Sequence, residues 1–167
     1  ERLEAERLQA ERAEAERQAE ARREAERAAA AAQRPRAAKD TLVMVVDDSK
    51  VVRVKTSRLL GQQRYRVAVA EHGQDALDQI AAELPQVLIT DVEMPGIDGF
   101  ELTRRLRADH RTAALPIIMI TSADDRLAGA ATEAGVTVLL GKPYDEGLLL
   151  AHIARLAGVA GPQALAA

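Results

Sequence analysis

The chain has 167 residues, enough for one ordinary domain and an appendage. Its net charge of −3 supplies no basic field for nucleic acid, and the absence of cysteine excludes disulfide frameworks, thiolate nucleophiles and Cys-ligated zinc. No apolar run approaches the roughly 18 residues of a bilayer span and the N-terminus lacks a signal peptide's apolar core; a cytoplasmic protein with no membrane insertion is expected, and a first residue of Glu1 rather than Met reads as a fragment of something longer.

Residues 1–40 read as an Ala/Glu/Arg-rich helical or flexible linker. Leu3 and Leu8 are the only large apolar side chains in the first 34 residues, and Glu-Arg pairs recur every five residues at first. All three main residue types favour helix, and pairs such as Arg2 with Glu6 and Arg7 with Glu11 add a few tenths of a kcal/mol each. A five-residue repeat winds charge around every side of a helix, so no apolar seam for a coiled coil survives. Nine glutamates balance nine arginines over residues 1–36, which argues against a polybasic membrane arm. Pro35 ends the segment.

From Thr41 strands and helices alternate. Residues 42–46 form an apolar run of strand length, followed by a helix capped by Ser49 or Asp48 and stopped near Gly61. Strands are expected at 65–70, 87–90, 116–120 and 136–140. Helices are expected at 74–82, 99–108, 126–134 and 146–157, the fourth of the five closed by Gly135. Five β-α units with apolar strands predict a parallel sheet buried on both faces, with right-handed connections. The folded domain spans 41–157, and 158–167 is a short tail.

Four separated pieces then fall at the carboxyl ends of strands, where ligands of such sheets sit. They are Asp47-Asp48-Ser49, Asp91-Val92-Glu93-Met94-Pro95, Thr121-Ser122 and Lys142-Pro143. Carboxylates, a hydroxyl and an ammonium in one pocket suit a divalent metal and a transferred phosphoryl group. Each residue alone has a plainer reading: Asp48 as a helix cap, Asp91 as a capping carboxylate, Thr121 as a β-branched strand end, Lys142 as a surface cation. Yet lysine is scarce here, four residues against nineteen arginines. A lone Phe, two Tyr and no Trp leave little to sandwich a flavin.

Together these motifs resemble the receiver domain of two-component response regulators, over roughly 41–156. The resemblance implies a flavodoxin-like five-stranded parallel sheet of order 2-1-3-4-5 with helices on both faces. It implies that Asp91 is the phosphorylated nucleophile, with Thr121 and Lys142 contacting the phosphoryl group. Mg2+ would be held by Asp48 directly, Asp47 largely through water, Asp91, and the backbone carbonyl of Glu93. The Lys142–Pro143 bond would be cis. Runs 45–50, 93–102, 115–122 and 140–144 look most like the C-terminal receivers of chemotaxis-type hybrid histidine kinases.

The implied partner is a histidine kinase or histidine phosphotransfer domain, with a downstream signalling protein and no nucleic acid. The chain would be a self-modifying phosphoacceptor, switch or sink, with kinase activity confined to a full-length parent. A stand-alone single-domain regulator is the alternative. The eleven residues after Leu156 read as too few for a DNA-binding effector, so a transcription factor is not expected. A haloacid-dehalogenase-type phosphatase also uses an aspartate nucleophile with an acid two residues on, as Glu93 is; the paired acids and Met94-Pro95 argue against it. One departure stands out: where the family usually carries Tyr or Phe, three residues before the lysine, this chain has Leu139, so output through an aromatic rotamer is not expected. Tyr144 is no substitute. Glu93 and Ala123 would flank the phosphorylation site, Phe100 would pack its helix on the sheet, and His72, His110 and His152 lack metal-ligand spacing.

Overall fold

The computed structural model describes residues 1–33, 36–122 and 126–159. The chain divides into two units, Glu1–Pro35 and Arg36–Ala167. The first is the helix α1, Arg2–Gln33. Its charges pair along the surface, as in Arg2–Glu6 at 3.5 Å and Arg7–Glu11 at 3.3 Å, and Leu3 and Leu8 are exposed. Helix here is local in origin: propensity and i,i+4 pairs suffice without a buried face.

The second unit runs β1 (Leu42–Val46), α2 (Lys50–Gln62), β2 (Arg66–Ala70), α3 (Gly73–Ala82), β3 (Val87–Asp91), α4 (Gly99–Ala108), β4 (Ile117–Thr121), α5 (Arg126–Ala134), β5 (Val138–Gly141) and α6 (Glu146–Ala157). All pairings are parallel and the order is β2-β1-β3-β4-β5, the expected doubly wound arrangement. Among the described residues no helix is long and apolar enough to cross a membrane.

The period-two alternation of strands sorts the core. Val43, Val45, Ile89, Ile118 and Ile120 pack with Leu60 of α2 and Leu149 and Ile153 of α6. Met44, Val46, Leu88 and Ile117 face the other way, onto Ile80 of α3 and Leu102 and Leu106 of α4. Phe100 joins Met119, Ala131 and Ala134 to seat α4 and α5 on that same face. Central strands are buried on both sides and the edge strands β2 and β5 are not, as expected for a parallel sheet covered by helices.

Element ends show where local chemistry decides. Ser49, not Asp48, caps α2, its Oγ accepting from the Val52 N–H. Gly61 does not stop that helix, which continues to Gln62; the turn falls on Arg64 at φ 69°. A glycine in ordinary helical conformation with open space around it breaks nothing by itself. β5 starts at Val138 rather than 136, because the Val136 N–H closes α5 by donating to the Ala131 C=O. Gly135, at φ 96°, ends α5 as expected. Residues 36–40 belong with the second unit: the Arg36 N–H donates to the Gly158 C=O at 2.6 Å, and Ala38 packs against the first core cluster. His72 is exposed and caps α3 by accepting the Asp75 N–H on Nδ1.

Arg107 ties together the amino-end loops of β4 and β5. Its Nε donates to the Gly135 C=O at 2.9 Å, Nη1 to the Thr112 and Ala113 carbonyls, and Nη2 to Thr137 Oγ1. Partial burial pulls its pKa below the usual arginine range. Arg107→Ala should cost about 2–3 kcal/mol through carbonyls left unpaired, measured as a lower urea midpoint with the slope of the transition unchanged.

Candidate functional site at the carboxyl ends of the strands

Register brings the four pieces to one edge. Val46 pairs with Thr90, Asp91 with Ile120, and Thr121 with Gly141. Asp47 and Asp48 therefore leave β1 where Asp91 ends β3, Thr121 ends β4 and Lys142 follows β5. One ligand oxygen from each of Asp47, Asp48 and Asp91 lies within 4.8 Å of the others. Lys142 Nζ is 3.8 Å from Asp91 Oδ2, and the Lys142 N–H donates to the Thr121 C=O at 2.7 Å, locking the last two strand ends together. Thr121 is 4% exposed. The Lys142–Pro143 bond is cis.

Each acid has a distinct setting. Asp47 is 5% exposed, and its Oδ1 accepts the Ser49 N–H at 2.9 Å, leaving the other oxygen for a ligand or water. Asp48 is exposed. Asp91 accepts the Val92 N–H on Oδ1 at 2.8 Å, the Glu93 N–H also bears on its carboxylate, and Oδ2 faces the lysine. The Glu93 side chain is exposed.

Burial pushes the Asp47 carboxyl above its ordinary value, with the neighbouring Asp91 and Asp48 charges adding to the rise against the Ser49 N–H and Lys142. Burial likewise raises Asp91, the Asp48 charge contributing, against Lys142 and the Val92 and Glu93 amides. Three oxygens on hard carboxylates, two of them costly to ionise, form the donor set of a small divalent cation. These residues fit such an ion.

Two features were not legible in the motifs. Gly99 donates its N–H to the Val92 C=O at 2.8 Å, and a Cβ there would collide with the Asp91 carbonyl. Glycine is required so that α4 can start hard against the strand end bearing Asp91; Gly99 lay within the motif run 93–102, which gave no reason for its being glycine. Arg53 donates Nη1 to the Asp47 C=O at 2.8 Å, a contact no spacing rule announced. Leu139 packs with Val92, Phe100 and Met119, whereas Tyr144 packs against the cluster on the opposite face, so the tyrosine does not fill the leucine's place. Ala123 lies outside the described residues.

The raised carboxyl values have a definite sign. A group whose pKa is higher folded than unfolded gives stability that is complete below the unfolded value and is lost as pH rises through the folded one. Without metal, the fold should therefore weaken between the ordinary carboxylate range and neutral pH. Asp47→Asn, which keeps the acceptor for Ser49, should raise the metal-free Tm by a few degrees at neutral pH and leave it unchanged in acid. Thermal melts with chelator at both pH values check this.

The response regulator receiver domain family matches residues 43–154. Protein PilH of Pseudomonas aeruginosa is 38% identical over 120 residues, covering 70% of this chain and 98% of PilH. The response regulator PleD of Caulobacter vibrioides is 37% identical over 118 residues, which are 68% of this chain but 25% of PleD. The chain thus spans only a quarter of that larger relative. Among solved structures, the chemotaxis protein CheY4 of Vibrio cholerae superposes with a TM-score of 0.66 at 31% identity, over 70% of this chain and 98% of CheY4. The signal receiver domain of a signal transduction histidine kinase from Syntrophus aciditrophicus gives 0.67 at 26% identity, over 70% and 89%. With its sheet order, its acidic strand ends and two thirds of its length matched, this chain belongs to the response regulator receiver domain family of two-component signalling.

Proposed function

We propose that the chain accepts a phosphoryl group onto Asp91 from a phosphohistidine on a partner domain, holds it as a signalling switch or phosphate sink, and loses it to water. The observation that carries this reading is the convergence of three carboxylates with the Lys142 ammonium 3.8 Å from Asp91 Oδ2. Asp91 Oδ2 is the oxygen that attacks phosphorus: a P–O bond forms as the P–N bond breaks, and the imidazole, protonated on its other nitrogen, departs neutral. Lys142 then pairs with a phosphoryl oxygen, and the Thr121 hydroxyl donates to another. Asp47, Asp48, Asp91 and the Glu93 carbonyl are the ligands assigned to Mg2+. When bound, that ion supplies charge neutralisation for the phosphoryl oxygens. Asp47 contributes through the one oxygen that Ser49 does not occupy, which suits a water-bridged role.

The donor's docking face is assigned to α2. Val51 and Val54, 77% and 47% exposed, line a groove of 550 Å3 with Lys50, Lys55, Arg58 and Glu146. Apolar side chains in a largely basic rim suit a partner helix that is acidic and apolar, and α2 begins beside the acids, so a histidine on that helix would stand near Asp91. For the parent protein, a hybrid histidine kinase is the favoured reading. The charged spacer helix α1 supports it, as does the likeness to a receiver taken from a histidine kinase. Matching nearly the whole of PilH supports the stand-alone alternative. With Leu139 packed in an apolar cluster, output is assigned to movement of the Thr121 loop without an aromatic rotation.

Acetyl phosphate and Mg2+ should load one phosphoryl group per chain, seen by intact-mass spectrometry. Asp91→Asn should take up none, and Lys142→Met should slow loading by about 100-fold. Sustained turnover of a small phosphomonoester would overturn the assignment in favour of a phosphatase.

Val51→Glu should depress phosphotransfer from a phosphohistidine domain about 10-fold more than loading from acetyl phosphate. Equal loss from both donors would move the docking face off α2.

A further inference from the structure

Arg53 lies in the first turn of α2, directly after the paired acids, with its side chain only 12% exposed; arginine is ordinarily a surface residue. Its Nη1 donates to the Asp47 C=O at 2.8 Å, and its Nη2 lies 3.6 Å from Glu71 Oε1, just beyond β2. Glu71 is itself well exposed, and a pair of that kind contributes little stability. The enclosed guanidinium therefore has another use, and the carbonyl it grips suggests which.

Asp47 is held at three points. Its N–H donates to the Ala70 C=O at 3.1 Å, its Oδ1 accepts the Ser49 N–H at 2.9 Å, and its C=O accepts from Arg53. That carbonyl belongs to the peptide joining Asp47 to Asp48. Orienting its plane orients the Cα of Asp48, whose exposed side chain has no comparable restraint among the described residues. The planar guanidinium can grip the carbonyl with one nitrogen while another is drawn toward Glu71, which an ammonium on a flexible stem does less well.

We propose that Arg53 is a positioning residue of the acidic triad, fixing the 47–48 peptide so that both carboxylates face Asp91 at the spacing a hard divalent cation requires. This rests on reading the triad as a metal site. Groups that orient metal ligands are typically worth 10- to 100-fold in affinity, and the backbone bond from Arg53 places it in that class.

The test is a Mn2+ titration of the unphosphorylated full chain, with free ion followed by electron paramagnetic resonance. Arg53→Gln should weaken the apparent Kd about 10-fold and shrink the Mn2+-induced rise in Tm. Arg53→Lys, which keeps charge and one donor, should weaken it about 3-fold. Unchanged affinity in folded Arg53→Gln, with Tm lowered equally with and without Mn2+, would make Arg53 a packing residue and overturn the proposal. If Arg53→Gln does not fold, unchanged affinity in Arg53→Lys overturns it instead. Asp48→Asn separates the two levels of inference: its loss of Mn2+ binding alongside an unaffected Arg53→Gln sinks the positioning role alone, and parental binding in Asp48→Asn sinks the metal site beneath it.

Discussion

Mutual repulsion among Asp47, Asp48 and Asp91 is the constraint around which the second unit is organised. Carboxylate oxygens within 4.8 Å of one another would drift apart on a pliable frame, and two of the three groups are also partly withdrawn from water. What holds them is a parallel sheet whose central strands are buried on both sides. The apolar packing of β1 and β3 sets where their last residues stand, and local amides then orient the carboxylates: Ser49 for Asp47, Val92 and Glu93 for Asp91. A cation is the natural complement to such a frame. Lys142 is the resident one, and a divalent ion would answer the remaining charge.

The same frame explains how carboxylates, a hydroxyl and an ammonium from four strand ends reach one point without long loops. Helical crossovers return every strand in the same direction, so each βα junction opens on the same edge. Fine adjustment falls to small devices: the Lys142 amide locking β5 to β4, and Gly99 letting α4 crowd the Asp91 carbonyl.

Most of this was legible because the signals were redundant. Apolar runs of strand length, turn residues between them and acids directly after strands one and three all pointed to one sheet edge. Where a single residue type carried the inference, it faltered. Gly61 read as a stop, yet glycine tolerates helix and the left-handed turn fell on Arg64. Val136 read as strand because it is β-branched and apolar, although its amide is spent closing α5. Arg53 was invisible because its importance lies in a bond to a backbone carbonyl six residues earlier, which depends on how α2 leaves β1 and not on any side-chain pattern. Gly99 sat within a recognised motif, but its need to be glycine comes from a close approach that only tertiary packing creates.

The parallel bridge between Arg36 and Val159 has an architectural consequence. α6 runs back against the strands, so this bridge closes the unit at their amino edge, about 16 Å from the acids by the rise of a five-residue strand. The second unit's described backbone therefore begins and ends side by side at that edge. Such geometry keeps both ends of that stretch of backbone on the side of the sheet away from Asp47, Asp48 and Asp91.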